Sequence, residues 1–116
     1  MPVNSRAKGA RGELEAAKVL GEKLGLELKR VYGQSRQGDD APDIDGPGLG
    51  MFCEVKLGKS HRIENAMRQA IAGAEAEWKR SGRDRGMAKR RPMVVSREDR
   101  GEWLVTVRLA DLGKIG

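Results

Sequence analysis

The sequence predicts an α/β fold in which helices flank a mixed β-sheet, and three observations support this prediction. Apolar residues recur at three- and four-residue steps in two segments, residues 7–24 and 62–80, as is typical of amphipathic helices. Shorter segments with alternating or continuous apolar residues lie between and after them, which indicates strands. Turns rich in glycine and proline separate these segments. The predicted order is helix, strand, hairpin, helix, strand, strand.

The first helix and strand are predicted from residues 7–32. Gly25 is a natural end for the helix, and residues 26–32 begin with the apolar–polar alternation of a strand. Residues 33–42 are polar and rich in breakers, so we expect a loop there. The apolar positions that define the helix are Ala10, Leu14, Ala17, Leu20 and Leu24.

A hairpin is predicted next. Short strands at residues 43–45 and 51–57 flank a Gly-Pro-Gly-Leu-Gly turn. After the second helix, residues 93–95 form an apolar run and residues 103–109 alternate, which predicts the last two strands.

Composition limits the class of protein. The chain has 116 residues, which fits one domain over residues 1–116, and its net charge of +6 favours a polyanionic partner. Cys53 and His61 are the only cysteine and histidine, which excludes an internal disulfide and a cysteine-based zinc cage. Aromatic residues make up 3%, which argues against a stacked-aromatic platform for single strands. No apolar run approaches the roughly 20 residues of a membrane span, and we expect a cytoplasmic protein.

The positive charge is concentrated in two flanks around an acidic centre. Residues 1–12 carry a net charge of +3, and residues 79–100 contain nine Lys and Arg against three Asp and Glu. One interpretation is a pair of basic arms that hold a nucleic-acid backbone, and the alternative is a solvated surface loop. The stretch from residue 83 to residue 91 could equally contact DNA or a second subunit.

The segment from residue 51 to residue 57 carries the candidate chemistry. Alternation places Glu54 and Lys56 on the strand face opposite the apolar Met51, Cys53 and Val55. The hairpin brings Asp43 opposite Glu54 or one residue away. Two carboxylates beside a lysine favour a hard cation such as Mg²⁺, with the lysine able to orient or deprotonate a water. The alternative is a cross-strand ion pair that contributes under about 1 kcal/mol.

Glu13 strengthens the interpretation as a site. It falls on the core-facing arc of the first helix, among Ala10, Ala17 and Leu20. A lone carboxylate on such an arc is costly unless it meets a partner or a metal.

The spacing Pro42-Asp43, ten residues, Glu54-Val55-Lys56 resembles the PD-(D/E)xK nuclease motif. The stretch Lys8-Gly-Ala-Arg-Gly-Glu-Leu14 is similar to the opening of the archaeal-type Holliday-junction resolvases, a family also found in phages. The resemblance implies a restriction-endonuclease-like core. It also implies a homodimeric, Mg²⁺-dependent endonuclease, in which Mn²⁺ can replace Mg²⁺, that nicks four-way DNA junctions in recombination, repair or phage DNA processing.

The resemblance also implies residue roles. Asp43 and Glu54 would bind the metal, Lys56 would orient the attacking water, and Glu13 would complete the metal site or support it. Asp45 is a rival metal ligand, and Gln69 is either a polar group near the site or a solvent-exposed side chain. The residues expected to contact DNA are Arg6, Lys8, Arg11, Arg30, Ser35, Arg90 and Arg91.

Other functions compete with a resolvase. One is another structure-specific or nicking nuclease of the same superfamily. A second is a non-catalytic basic DNA-binding module whose carboxylates form only salt bridges, although such a module has no need of Glu13. An RNA-binding domain is disfavoured, because the chain has few aromatic residues and no RRM signature.

Overall fold

The computed structural model describes residues 5–31, 41–58 and 62–114. Two α-helices and five β-strands form the framework of these segments. They are α1 (Ser5–Leu24), β1 (Lys29–Arg30), β2 (Ile44–Asp45), β3 (Met51–Leu57), α2 (Ile63–Glu77), β4 (Arg91–Arg97) and β5 (Leu104–Val107). A π-helical turn (Trp78–Gly82) and a 3-10 turn (Arg83–Arg85) follow α2, and a second 3-10 segment (Leu109–Lys114) follows β5.

The strands form one mixed sheet in the order β1-β2-β3-β4-β5. β1, β2 and β3 are antiparallel neighbours, β3 and β4 are parallel, and β4 and β5 are antiparallel. The parallel pair requires a crossover connection, and α2 supplies it. Ile44 pairs with Cys53, and Met51 to Leu57 pair in register with Arg91 to Arg97.

Helices cover both faces of the sheet, so the predicted mixed sheet flanked by helices is confirmed. On one face, α1 packs against the strands through a buried cluster that includes Ala16, Ala17, Leu20, Ile44, Met51, Cys53, Met93 and Val95. On the other face, Phe52 packs against Ala70 and Ala74 of α2. Successive residues of β3 therefore face opposite helices, as the period of a strand requires.

The end of α1 follows from Gly25. This glycine adopts the left-handed conformation at φ 70°, and the amide of Leu26 donates to the carbonyl of Gly21 at 2.9 Å. The pair forms the six-to-one hydrogen bond of a Schellman motif, which satisfies a carbonyl at the helix end.

Three elements differ from the prediction. Within residues 26–31 the expected strand is confined to Lys29–Arg30, because Leu26 and Leu28 pack against the core instead of pairing, and residue 32 lies outside the described residues. The second α-helix ends at Glu77 and continues as the π-helical turn. Leu14 is 52% exposed, whereas Ala16 is fully buried, so small side chains face the sheet and let α1 lie close to it.

Gly46 allows the turn after β2 to pass close to the chain before β1. A Cβ added at Gly46 would lie 2.2 Å from the carbonyl oxygen of Glu27. We expect Gly46→Ala to lower the free energy of unfolding by about 1–3 kcal/mol, because backbone must move to relieve the overlap. Gly50→Ala is the matched control, since a Cβ there meets nothing within 4 Å. Urea denaturation of both variants measures the effect, and equal stabilities would contradict the prediction.

Candidate active site

Asp43 is fixed at the point where β2 separates from β3. Its amide donates to the carbonyl of Cys53 at 2.8 Å, and its carbonyl accepts from the amide of Val31 at 3.0 Å. Its side-chain Oδ2 accepts from the amide of Val55 at 2.8 Å. The backbone on both sides thus orients the carboxylate toward β3.

Glu54 lies beside Asp43, as the sequence predicts. The pairing of Ile44 with Cys53 places Asp43 opposite Glu54, and the interaction with the Glu54 side chain acts to lower the pKa of Asp43. The structure therefore brings together two acidic groups that would repel each other when both are ionised.

Burial and neighbouring charge raise the pKa of Asp43 to about 6. Burial is the largest cause, and the negative charge of Glu13 adds to it. The Val55 amide, the interaction with the Glu54 side chain and the positive charge of Arg30 act in the opposite direction. Near neutral pH, Asp43 is thus ionised, and a nearby cation would stabilise its negative charge.

This raised pKa predicts a pH-dependent stability. The protonated form of Asp43 stabilises the fold fully below its ordinary pKa of 3.8, and this contribution is lost as the pH rises through about 6. The Asn variant has no such group to titrate. In EDTA, the free energy of unfolding of Asp43→Asn relative to that of the wild type should therefore rise by about 1–3 kcal/mol from pH 4 to pH 8. Thermal melts across this range measure the gap. Asp84→Asn, at an exposed carboxylate, is the control, and a gap of the same size there would contradict the assignment to Asp43.

Glu13 reaches the same region from α1. Its Oε1 accepts from Nε of Arg30 at 2.7 Å, and both side chains are 22% exposed. The partner expected for a carboxylate on this arc is therefore Arg30 of β1. This ion pair lies near Asp43, because the charge of Glu13 raises the pKa of Asp43 and the charge of Arg30 lowers it.

Lys56 shares the β3 face of Glu54 and is half-buried. Two residues along a strand span about 7 Å, so the amine and the two carboxyl groups belong to one region of the sheet. Asp43 thus lies opposite Glu54, Lys56 shares the strand face of Glu54, and Glu13 of α1 acts on Asp43 through its charge.

The donor set suits a divalent cation of the Mg²⁺ type. Asp43 keeps Oδ1 outside its bond to Val55, and Glu54 contributes a second carboxylate. In the described segments, no group of three or more His, Cys, Asp and Glu is arranged to hold a metal, and Glu13 is paired with Arg30. Mg²⁺ needs only one or two carboxylates and completes its shell with water and substrate phosphate. The two carboxylates therefore fit Mg²⁺.

Asp45 does not join these carboxylates. Its two oxygens accept from Nη1 and Nη2 of Arg90 at 2.8 and 3.2 Å, and Oδ1 also accepts from the amide of Gly46 at 2.8 Å. The interpretation of Asp45 as a rival metal ligand is corrected, because a guanidinium already occupies both oxygens.

Arg90, a predicted DNA contact, is held by two carboxylates. Its Nε and Nη2 donate to Glu77 at 2.9 and 2.5 Å, and its guanidinium carbon lies 5.8 Å from the centre of the Phe52 ring. Burial would lower its pKa, but the bonds to Glu77 and Asp45 raise the pKa above its ordinary value. With its side chain 18% exposed, Arg90 joins β2 to the end of α2, and its contact with DNA stays a prediction.

The remaining predicted DNA contacts are scattered. Arg11 is exposed on α1, and Arg91 lies at the start of β4 with its Nε 3.8 Å from Asp111. Arg30 is engaged by Glu13. Ser35 and the side chains of Arg6 and Lys8 lie outside what the structure describes. Gln69 is exposed on α2, which agrees with the solvent-exposed alternative.

Sequence analysis missed a cavity beside the carboxyl end of β3. It has a volume of about 450 Å³ and is lined by Arg11, Leu57, Arg97, Arg100 and Trp103, among others. Arg97 donates to Glu15 at 2.6 Å and its guanidinium lies 5.3 Å from the Trp103 ring centre. Only the parallel register of β3 and β4 brings Arg97 next to Leu57, and the sequence contains no signal for that register.

Within the described ranges, no helix is long and apolar enough to cross a membrane.

The fold and the site together define a nuclease of the PD-(D/E)xK superfamily. A mixed sheet carries Asp43 and the Glu54-Val55-Lys56 triplet on adjacent strands, with helices on both faces. The family model described as "Phage putative PDDEXK endonuclease" matches residues 4–115, and the chain belongs to this family.

A relative in a phage supports this assignment. The chain is 32% identical over 120 residues to "Protein D14" of Escherichia phage T5, and the match covers 96% of this chain and 75% of the phage protein. No solved structure matches the chain significantly.

Proposed function

We propose that this protein is a Mg²⁺-dependent endonuclease that hydrolyses phosphodiester bonds in branched DNA, with the four-way junction as its preferred substrate. The observation that carries the proposal is the register that places Asp43 opposite Glu54, with Lys56 on the same strand face as Glu54. The match to an endonuclease family supports the reaction. The preference for junctions depends on the resemblance of the Lys8–Leu14 segment and the Asp43, Glu54 and Lys56 spacing to junction resolvases.

Each residue of the proposed site has a separate role. Asp43 and Glu54 would hold the cation, which when bound would polarise the scissile phosphate and stabilise its developing charge. Lys56 would orient the attacking water and, in its neutral form, could take its proton. The Glu13–Arg30 ion pair sets the local charge around Asp43 and positions α1 against β1.

The proposal includes a homodimer. Symmetric cleavage of a four-way junction requires two active sites, and this chain has one Asp43-Glu54-Lys56 constellation. β5 is at the edge of the sheet and carries Leu104 and Val105, which are 59% and 47% exposed. An exposed apolar edge strand is suited to pairing with a second copy.

The experiment is cleavage of a labelled four-way junction beside a three-way branch and a linear duplex, in Mg²⁺, in Mn²⁺ and in EDTA. Symmetric nicks in the four-way junction, dependent on the metal, are the expected result. Cleavage of all three DNAs would retain the nuclease and reject the junction preference. Binding without cleavage under every condition would instead indicate a DNA-binding module, and sedimentation of the complex tests the dimer.

A further inference from the structure

A cluster of exposed basic side chains follows α2, at a distance from the candidate active site. We refer to Lys79, Arg80, Arg83, Arg85 and Lys89 as the basic cluster. Within residues 79–89 the only acidic residue is Asp84. Glu75 of α2 pairs with Lys79 at 3.6 Å and with Lys89, which neutralises part of the charge and leaves the surface strongly positive.

The segment that carries the basic cluster is folded back onto the end of α2. Trp78 Nε1 donates to the carbonyl of Met87 at 2.7 Å, and the amide of Met87 donates to Gly82 at 2.9 Å. Arg83 and Lys89 lie 5.9 and 5.1 Å from the Trp78 ring centre. The charges are thus held on a defined scaffold, in contrast to a solvated surface loop.

The basic cluster lies at the opposite end of the sheet from the site. β4 begins at Arg91, which pairs with Met51 at the start of β3, whereas Glu54 and Lys56 lie toward the end of β3. α2 runs between the two ends, and its 15 residues span about 22 Å. Lys56 lies five residues beyond Met51 on β3, so it is roughly 17 Å along the sheet from the level of Arg91, where the basic segment ends.

We propose that the basic cluster is a second DNA-contact surface, which binds the backbone of a duplex arm other than the arm at the active site. This inference rests on the proposed function and specifies how a branched substrate is held. Closely spaced Arg and Lys side chains neutralise phosphates without reading sequence, and each contact adds to the salt dependence of binding. A surface separated from the site by the length of α2 is suited to a DNA whose arms diverge.

The test compares Arg83→Gln/Arg85→Gln with Arg83→Lys/Arg85→Lys and with Lys18→Gln/Lys23→Gln. The last variant removes the same charge from exposed positions of α1, a helix that carries no residue of the basic cluster. Binding of a four-way junction and of a linear duplex with arms of the same length is measured in EDTA from 50 to 200 mM salt. Single-turnover cleavage of the junction in Mg²⁺ is measured at saturating enzyme.

We expect the Gln variant to reduce the slope of log affinity against log salt by about 2 for the junction, at about 0.9 per lost contact. The loss for the linear duplex should be smaller, the Lys variant should retain the slope, and cleavage at saturation should be unchanged. The proposal is overturned if the slope is unchanged, if the α1 control loses as much, or if junction and duplex lose equally.

The two proposals fail in different ways. If the protein cleaves no DNA in any metal, the proposed function is rejected, while the salt dependence in EDTA still tests the basic cluster. If cleavage occurs and the salt slope does not respond to the Gln variant, only the second surface is rejected.

Discussion

Replacing Glu54 with Gln, or Asp43 with Asn, is expected to reduce DNA cleavage by at least about 10³-fold. Each change removes one of the two carboxylates proposed to hold the cation, and Asn at residue 43 can still accept the hydrogen bond from Val55. Binding of junction DNA in EDTA should be unchanged or tighter, because a negative charge near phosphate is lost. Single-turnover cleavage and metal-free binding of the same preparations measure the two effects.

Glu64→Gln is the matched control for this pair of variants. Glu64 is exposed in the first turn of α2. Its replacement removes one negative charge from the protein, as the other two variants do, and leaves Asp43 and Glu54 unchanged. Wild-type cleavage by either Glu54→Gln or Asp43→Asn would refute the assignment of these residues as metal ligands. Loss of cleavage together with loss of the folded state would show a structural effect. Circular dichroism distinguishes an unfolded variant from a folded variant that is inactive.

The largest effect on stability is expected for Arg90→Met. Removal of the guanidinium leaves Asp45 and Glu77 facing each other without the cation that both contact. Breaking a buried ion pair from one side costs about 3–5 kcal/mol. We expect about 2–4 kcal/mol here, because Asp45 is 39% exposed and water screens part of its charge.

Lys89→Met and a triple variant serve as controls for Arg90→Met. Lys89 precedes Arg90, carries the same charge and is 44% exposed, so Lys89→Met should cost less than about 1 kcal/mol. The triple variant Asp45→Asn/Glu77→Gln/Arg90→Met removes both unpaired carboxylates and should recover much of the loss. Urea denaturation of all three proteins is the measurement, and equal stability of the two single variants would contradict the role of Arg90.

The sequence predicts α1 and β3 well because their patterns are local. Alternation over residues 51–57 gives the exact bounds of β3, and the tight turn before it limits the register enough to place Asp43 opposite Glu54. Glu13 is found for the same reason, since its place on the arc of α1 depends only on helical geometry. Much of the candidate site therefore follows from short-range rules.

The parts that the sequence does not predict depend on contacts between distant segments. Arg90 and Asp45 are 45 residues apart in the sequence. The basic stretch contains several Lys and Arg, and the sequence does not show which of them forms a partly buried ion pair with carboxylates. The Glu13–Arg30 pair depends on how β1 docks beside α1, and β1 itself forms only two residues of strand. The placement of the basic cluster far from the site requires knowing that β3 and β4 are parallel.

Cys53 has a practical consequence for studying this protein. It is the only cysteine of the chain, its side chain is fully buried beneath α1, and burial raises the pKa of its thiol to about 12. Because the thiolate is the reactive form, a maleimide dye should leave the native thiol unmodified while the protein is folded. A cysteine introduced at Asp84 would then be the single labelled position, and energy transfer from there to a dye on each arm of a DNA branch would report their relative orientation directly. The natural sequence thus needs no cysteine removal before such labelling.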